Sequence, residues 1–409
     1  MRIALLSYRG HPQVGGQGVY VTYLSRALRD SGHHVEVLAG PPYPELDDDI
    51  PLVRIPSLDL YRPENPFRRP ARSEIRDVVD IAEYLMMCAA AFPEPLTFSL
   101  RAARYLRRHG ERFDVVHDNQ CLGYGLVDVA RRMPVVATVH HPITIDRRHA
   151  LADATSRSQA LQIRRWYAFT RMQARVARRL PRLLSVSEAA AQDVVREFGV
   201  QPGRVGVVHN GVDADLFRPL GEAAEIQGRL ITVASSDVPM KGFAFLVEAL
   251  AKLRTEIDAT LTVVGKGGES ERARALVSRW GVEGAVTFEG RVDALRLVEL
   301  YASAEVAVVP SLYEGFSLPA IEAMSAAVPV VGTTGGALPE VIGTTGETGI
   351  LVPSGDAGAL AAAIRSLLDA PERRHAIGRA ARERVLERFT WAATARATVE
   401  QYRVAMNRC

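Results

Sequence analysis

The first forty residues constrain the architecture more than any other stretch. Residues 2–7 form an apolar run, residues 15–18 read Gly-Gly-Gln-Gly, residues 19–31 carry apolar side chains at helical spacing, and residues 34–39 are apolar again. Gly32 stands where such a helix would end. Strand, glycine turn, helix and strand make a βαβ unit, which joins parallel strands and puts its binding site at their C-terminal ends. Further strand candidates follow at 114–117, 134–139 and 183–186. A second series begins after Phe217-Arg218-Pro219 and Gly221, with candidates at 230–234, 259–264, 285–288, 306–309, 329–331 and 349–352. The chain's 409 residues exceed one ordinary core. The expectation is an α/β protein of two Rossmann-like lobes, each a doubly wound parallel sheet, with an interdomain cleft. The first lobe spans residues 1–215 and the second 216–391. Residues 41–70, rich in proline and acid, read as an irregular excursion near the cleft. Residues 84–109 read as a helical pair broken at Pro93 and Pro95.

Composition excludes several classes. Charged residues are 24% and hydrophobic residues 47%, as in a soluble globular protein, and no apolar run approaches the length of a membrane span. Cys88, Cys121 and Cys409 are scattered, which fits neither a disulfide framework nor a zinc site and suits the cytoplasm. The apolar start, residues 1–7, is too short for a signal peptide. Residues 154–187 hold eight arginines and no acid, and clusters such as Arg164-Arg165-Trp166-Tyr167 could meet a phosphorylated acceptor or the inner face of an anionic membrane, giving a weak peripheral contact through residues 157–182. A solvated helix face fits that run better. No nucleic-acid partner is expected.

The richest chemistry lies in residues 305–324. An apolar strand candidate ending at Pro310 leads through Glu314 and Gly315 to a helix start at Ser317-Leu318-Pro319, with Ser317 as N-cap and the proline in the first turn. Free amides and the helix dipole converge there on an anion. Glu314 lies in the turn and Glu322 just over one turn into the helix, where carboxylates can bond the hydroxyls of a sugar or ribose. A sugar nucleotide suits this arrangement. Gly15 and Gly16, at the first strand–helix turn, allow close backbone approach to a phosphate or sugar. His140 and His141 follow the strand 134–139 at a cleft-facing end, and Lys241 supplies a point charge for a diphosphate.

Glu314 and Glu322, with Gly315-Phe316-Ser317-Leu318-Pro319 between them and Glu322-Ala323-Met324 after, resemble the paired-glutamate motif of the retaining GT-B glycosyltransferases of family 4. The resemblance implies a terminal helix, 392–409, crossing back to a first, acceptor-binding lobe, and a second lobe that binds the nucleotide sugar. It also implies roles. The Gly15-Gly16 loop closes over the donor diphosphate, His140 bonds the donor sugar, and Glu314 and Lys241 act at the reacting centre. Arg291 and Val292 receive the nucleobase, the amides of Phe316, Ser317 and Leu318 hold phosphate, and Glu322 holds the ribose. The family usually has an arginine six residues before the lysine, and this chain has Ser235 there. One formal charge is lost, leaving Lys241, the amides, and Lys266 or the hydroxyls of Ser235 and Ser236.

The resulting expectation is a metal-independent, retaining hexosyltransferase without cofactor, moving a hexose from a nucleoside diphosphate sugar, with a lean to GDP-mannose, to a hydroxyl of a glycan, glycolipid or small acceptor. No Asp-x-Asp or His/Cys cluster stands at a strand end. A phosphorylase or sugar-nucleotide epimerase of the same fold, and an inactive carbohydrate-binding relative, are the rivals that Ser235 leaves open.

Overall fold

A computed structural model describes residues 1–10, 16–62, 64–220, 225–265 and 270–407. The Gly15, Lys266 and Cys409 of the sequence reading lie outside the described residues. The chain forms two compact units, one of Met1–Val208 with the chain from Thr394 onward, the other of His209–Ala393.

In the first unit, β1 (Arg2–Ser7), β2 (His34–Ala39), β3 (Leu52–Arg54), β4 (Val115–Asn119), β5 (Val135–Val139), β6 (Arg182–Ser185) and β7 (Val205–Val207) make one sheet in the order β3-β2-β1-β4-β5-β6-β7. Every pairing is parallel. The strands β1 and β5 are nearly continuous apolar runs because both faces of the sheet are covered. Chain order runs outward in both directions from β1 and β4, so the crevice at their C-terminal ends is a topological switch point. The helix Trp391–Met406 contributes the fully buried Tyr402, whose hydroxyl meets His117 Nδ1 at 2.6 Å. His117 Nε2 meets Thr138 Oγ1 at 2.7 Å, and Thr138 meets the Tyr20 hydroxyl at 3.2 Å. This buried chain ties the last helix to β4, β5 and the helix Gly16–Asp30.

The second unit holds β8 (Arg229–Val233), β9 (Thr260–Val264), β10 (Val286–Gly290), β11 (Val306–Val309), β12 (Val330–Thr333) and β13 (Ile350–Val352), in the order β10-β9-β8-β11-β12-β13. These pairings are also parallel, and the switch point falls between β8 and β11.

Several boundaries differ from the sequence reading. The first helix starts at Gly16 rather than at residue 19. Asp77 caps a helix Val78–Cys88 by accepting from the amides of Val79 and Asp80, six residues ahead of the expected start. Pro95 does not break the second helix of that pair; it lies in the first turn of Glu94–His109, where a missing N–H costs nothing. The excursion at 41–70 hides the short edge strand β3. The arginine-rich run forms the helices Arg157–Trp166 and Phe169–Ala177; in the latter Phe169, Met172, Val176 and Ala177 are buried, while Arg171 and Arg175 point outward. Among the described residues, no helix is long and apolar enough to cross a membrane.

Candidate active site

At the second unit's switch point, Val233 ends β8 and the chain passes Ser235 into a 3-10 turn, Pro239–Lys241, instead of entering the helix directly. Gly242 follows at φ +70°, and a Cβ there would collide with the carbonyl oxygen of Pro310 beyond β11. The Leu312 amide donates to Met240 O at 2.8 Å. These close approaches bring the turn against the loop that carries the first glutamate. Lys241 Nζ donates to Glu314 Oε1 at 2.7 Å, and the Ser311 hydroxyl donates to the same oxygen at 2.7 Å. The backbone of Glu314 is fixed from the other side, because its carbonyl accepts from the Ala337 amide at 2.8 Å and Gly336 leaves room beside it. Glu314 is 8% exposed and Lys241 partly exposed, so the carboxylate is buried while the ammonium stays open to solvent.

Ser317 caps the helix Leu318–Ser325, its hydroxyl accepting from the Ala320 amide, with Pro319 in the first turn. Glu322 in that helix accepts from the Tyr301 hydroxyl at 3.4 Å. Burial pushes the Glu322 carboxyl up to about 7, against the downward pull of that hydrogen bond. Phe316 lies nearly parallel to His209, centroids 6.1 Å apart, and edge-on to Phe389 at 6.0 Å. His209 Nε2 in turn meets Glu340 Oε1 at 2.5 Å. His209 and Glu340 escaped the sequence reading, since the spacing of neither pointed to Phe316. Arg291 is exposed and Val292 partly buried just beyond β10, which Gly290 ends at φ +68°. Ser235 O accepts from the Val238 amide at 3.3 Å at the start of the turn that leads to Lys241.

In the first unit, His140 follows β5 directly. Its Nε2 lies 2.7 Å from Asn119 Oδ1, while Asn119 Nδ2 donates to Gln17 O at 3.2 Å. With the amide oriented so, His140 Nε2 carries the proton and Nδ1 is the acceptor. Tyr20 meets the imidazole edge-on at 4.6 Å. Burial pushes His140 down to about 4, which keeps it neutral. Gln120, at φ +54°, clamps the peptide after β5: its Oε1 accepts from the His140 amide at 2.6 Å and its Nε2 donates to His141 O at 2.6 Å. Asn119 and Gln120 carried no motif, and only their place at the end of β4 marks them. His141 turns outward to Asp146, 3.0 Å away. Gly16 opens its helix. Among the described residues no three His, Cys, Asp or Glu side chains are grouped to hold a metal.

The family described as Glycosyltransferase Family 4 matches residues 14–216, and that described as Glycosyl transferases group 1 matches residues 223–384. The chain is 48% identical to the MMP alpha-(1->4)-mannosyltransferase of Mycolicibacterium hassiacum, across 100% of this chain and 99% of that protein. The chain is a family 4 GT-B glycosyltransferase. It is also 30% identical to the glycogen synthase of Mycobacterium tuberculosis, over 99% of this chain and 95% of that one. Among solved structures, sucrose-phosphate synthase from Thermosynechococcus elongatus superposes with a TM-score of 0.75 at 25% identity, covering 100% of both chains. The glycosyltransferase thus has the two-unit parallel-sheet architecture expected from its sequence.

Proposed function

We propose that this glycosyltransferase is an α-mannosyltransferase that uses a nucleoside diphosphate mannose, GDP-mannose for preference, and extends a mannose-containing acceptor with retention at the anomeric carbon. The observation that carries this reading is the 48% identity to an α-(1→4)-mannosyltransferase over the full length of both proteins. Sugar nucleotides of D-mannose are α-linked, so an α product from one requires retention.

The residues support leaving-group chemistry. Lys241 and the amides at the start of the helix Leu318–Ser325 offer fixed positive charge to a diphosphate without a divalent ion. Glu322 offers its carboxyl to the ribose hydroxyls, and Glu314, which already holds Lys241, lies beside the transferred sugar. His140 offers neutral Nδ1 to a sugar hydroxyl. In the step itself the C1–O bond to phosphate breaks as the acceptor oxygen bonds C1 on the same face. The acceptor's proton passes to the departing phosphate oxygen.

The test is transfer from GDP-mannose to a short α-(1→4)-manno-oligosaccharide in excess EDTA, with the new linkage read by NMR. A new α-anomeric signal is expected. Transfer of glucose but not mannose, or a β product, would refute the reading. Activity lost in EDTA and restored by Mg²⁺ would remove its metal-independent part.

A further inference from the structure

Six aromatic rings of the first unit gather at one place that the proposed donor chemistry does not use. Tyr61 and Phe67 come from the long connection after β3, Phe92 from the loop between two helices, and Trp166, Tyr167 and Phe169 from the connection that leaves β5 just beyond His140. Tyr61 meets Trp166 and Phe67 edge-to-face at 5.5 and 5.4 Å, and Phe92 at a tilt at 5.3 Å. Phe92 also packs on Trp166 at 5.2 Å. The guanidinium of Arg9, two residues past β1, lies 5.8 Å from the Phe92 centroid. The rings therefore join the connections on either side of the β1–β4 switch point, the place where a sheet of this kind takes a ligand.

This cluster is only partly a core. Phe92 and Phe169 are buried, but Trp166 and Tyr61 are partly exposed and Phe67 is 61% exposed. Phe67 also stands at φ +63°, a conformation that costs a bulky residue energy. The loop is closed under it: the Phe67 amide donates to Leu60 O at 2.7 Å, and Arg68 donates to Leu58 O at 2.7 Å. The Tyr61 hydroxyl is tied to Ala91 O at 3.2 Å, which fixes the ring beside Phe67. Strain, an anchored loop and an exposed aromatic together mark a surface built to be covered.

We infer that Tyr61, Phe67 and Trp166 form a stacking platform for the acceptor oligosaccharide, one or more sugars away from the reacting hydroxyl. The inference rests on the mannosyltransferase reading for the identity of that sugar. One face of a pyranose presents C–H groups of slight positive charge, which suit the negative face of an aromatic ring. Arg62, next in sequence to Tyr61, and Arg165 and Arg164, one and two positions before Trp166, are exposed and carry donors that sugar hydroxyls can use. A neutral chain of sugars matches this mixture of exposed aromatic surface and nearby donors.

The experiment measures binding of a short α-(1→4)-manno-oligosaccharide, without donor, to the intact protein and to Phe67→Ala, Trp166→Ala and Trp166→Phe by calorimetry, with GDP titrated into each. Phe67→Ala and Trp166→Ala should each weaken the oligosaccharide about three- to tenfold. Trp166→Phe should recover most of that loss, and GDP affinity should not change in any variant. Unchanged oligosaccharide affinity in Phe67→Ala, whose exposed ring is removable without a cavity, overturns the platform. So does an intact protein that fails to bind the oligosaccharide. If instead Phe67→Ala loses binding to phosphatidylglycerol vesicles while keeping the oligosaccharide, the surface serves a membrane and the inference falls. Mannose transfer with an unaltered acceptor KM in Phe67→Ala leaves the mannosyltransferase reading standing and removes the platform. Platform-dependent binding without any mannose transfer does the reverse.

Discussion

Lys241 Nζ and Glu314 Oε1 are 2.7 Å apart, joined across 73 positions of sequence by one glycine turn. The Ser311 hydroxyl donates to the same oxygen, so the carboxylate is held from two sides. On the proposed reading, the pair keeps Lys241 pre-positioned, which would reduce the ordering cost of binding a diphosphate.

Lys241→Ala should weaken GDP by about 1.5–3 kcal/mol, the worth of a charge-assisted contact. Calorimetric titration checks this, and a dissociation constant changed less than about threefold would mean that the diphosphate is held elsewhere.

Glu314→Gln and Glu322→Gln should separate. The first leaves a neutral amide beside Lys241 and should mainly lower turnover, whereas the second should weaken free GDP. A fall in nucleotide affinity confined to the Glu314 variant would reverse the two roles.

Glu322 also carries a pH signature. Its carboxyl is raised to about 7 from 4.5, so the native state favours the protonated form. The stability it contributes is complete below pH 4.5 and is lost as pH rises through about 7. Glu322→Gln should accordingly raise Tm relative to the parent at pH 8 by more than at pH 5. Equal shifts at both would show that the carboxyl titrates normally.

Much of the fold was legible because buried parallel strands are near-continuous apolar runs. The strands β1, β5 and β11 announce themselves this way, and Gly32, at φ +82°, ends its helix as expected. The edge strands β3 and β7 did not, since Leu-Val-Arg and Val-Gly-Val are each interrupted by a charge or a glycine, whereas β13, equally short and also at an edge, is an unbroken Ile-Leu-Val run and was legible. At the candidate site, Ser317 as cap could be read locally because capping is a contact within four residues. The clasp of Gln120 on His140 and His141, and the stacking of His209 on Phe316, depend on neighbours brought together by tertiary packing. No local pattern encodes them.

His140 and His117 contribute to the loss of stability in acid. Burial lowers them to about 4 and about 3 from 6.5, so the native state holds them neutral while the unfolded chain takes up protons. Their stabilisation is full above pH 6.5 and is lost as pH falls toward 4 and 3. His140→Gln, which keeps a donor for Asn119, should flatten the decline of Tm between pH 6.5 and 4. An undiminished decline would place the acid sensitivity in other groups.

Ser235→Arg tests whether the diphosphate site is short of one charge. Ser235 stands just past β8, and its carbonyl starts the turn that delivers Lys241 to Glu314. The resemblance to family 4 puts an arginine here, six residues before the lysine. An arginine able to reach the diphosphate should tighten GDP by about 1.5–3 kcal/mol through charge-assisted, bidentate contact. Turnover should fall rather than rise, because a leaving group held more tightly departs more slowly and release then limits the cycle. Titrating GDP and timing single and multiple turnovers on the same variant separates these effects: the chemical step should be preserved and the steady state slowed. Weaker GDP binding would show that Ser235 makes room for part of the donor, and that this chain has moved its second phosphate contact to another residue.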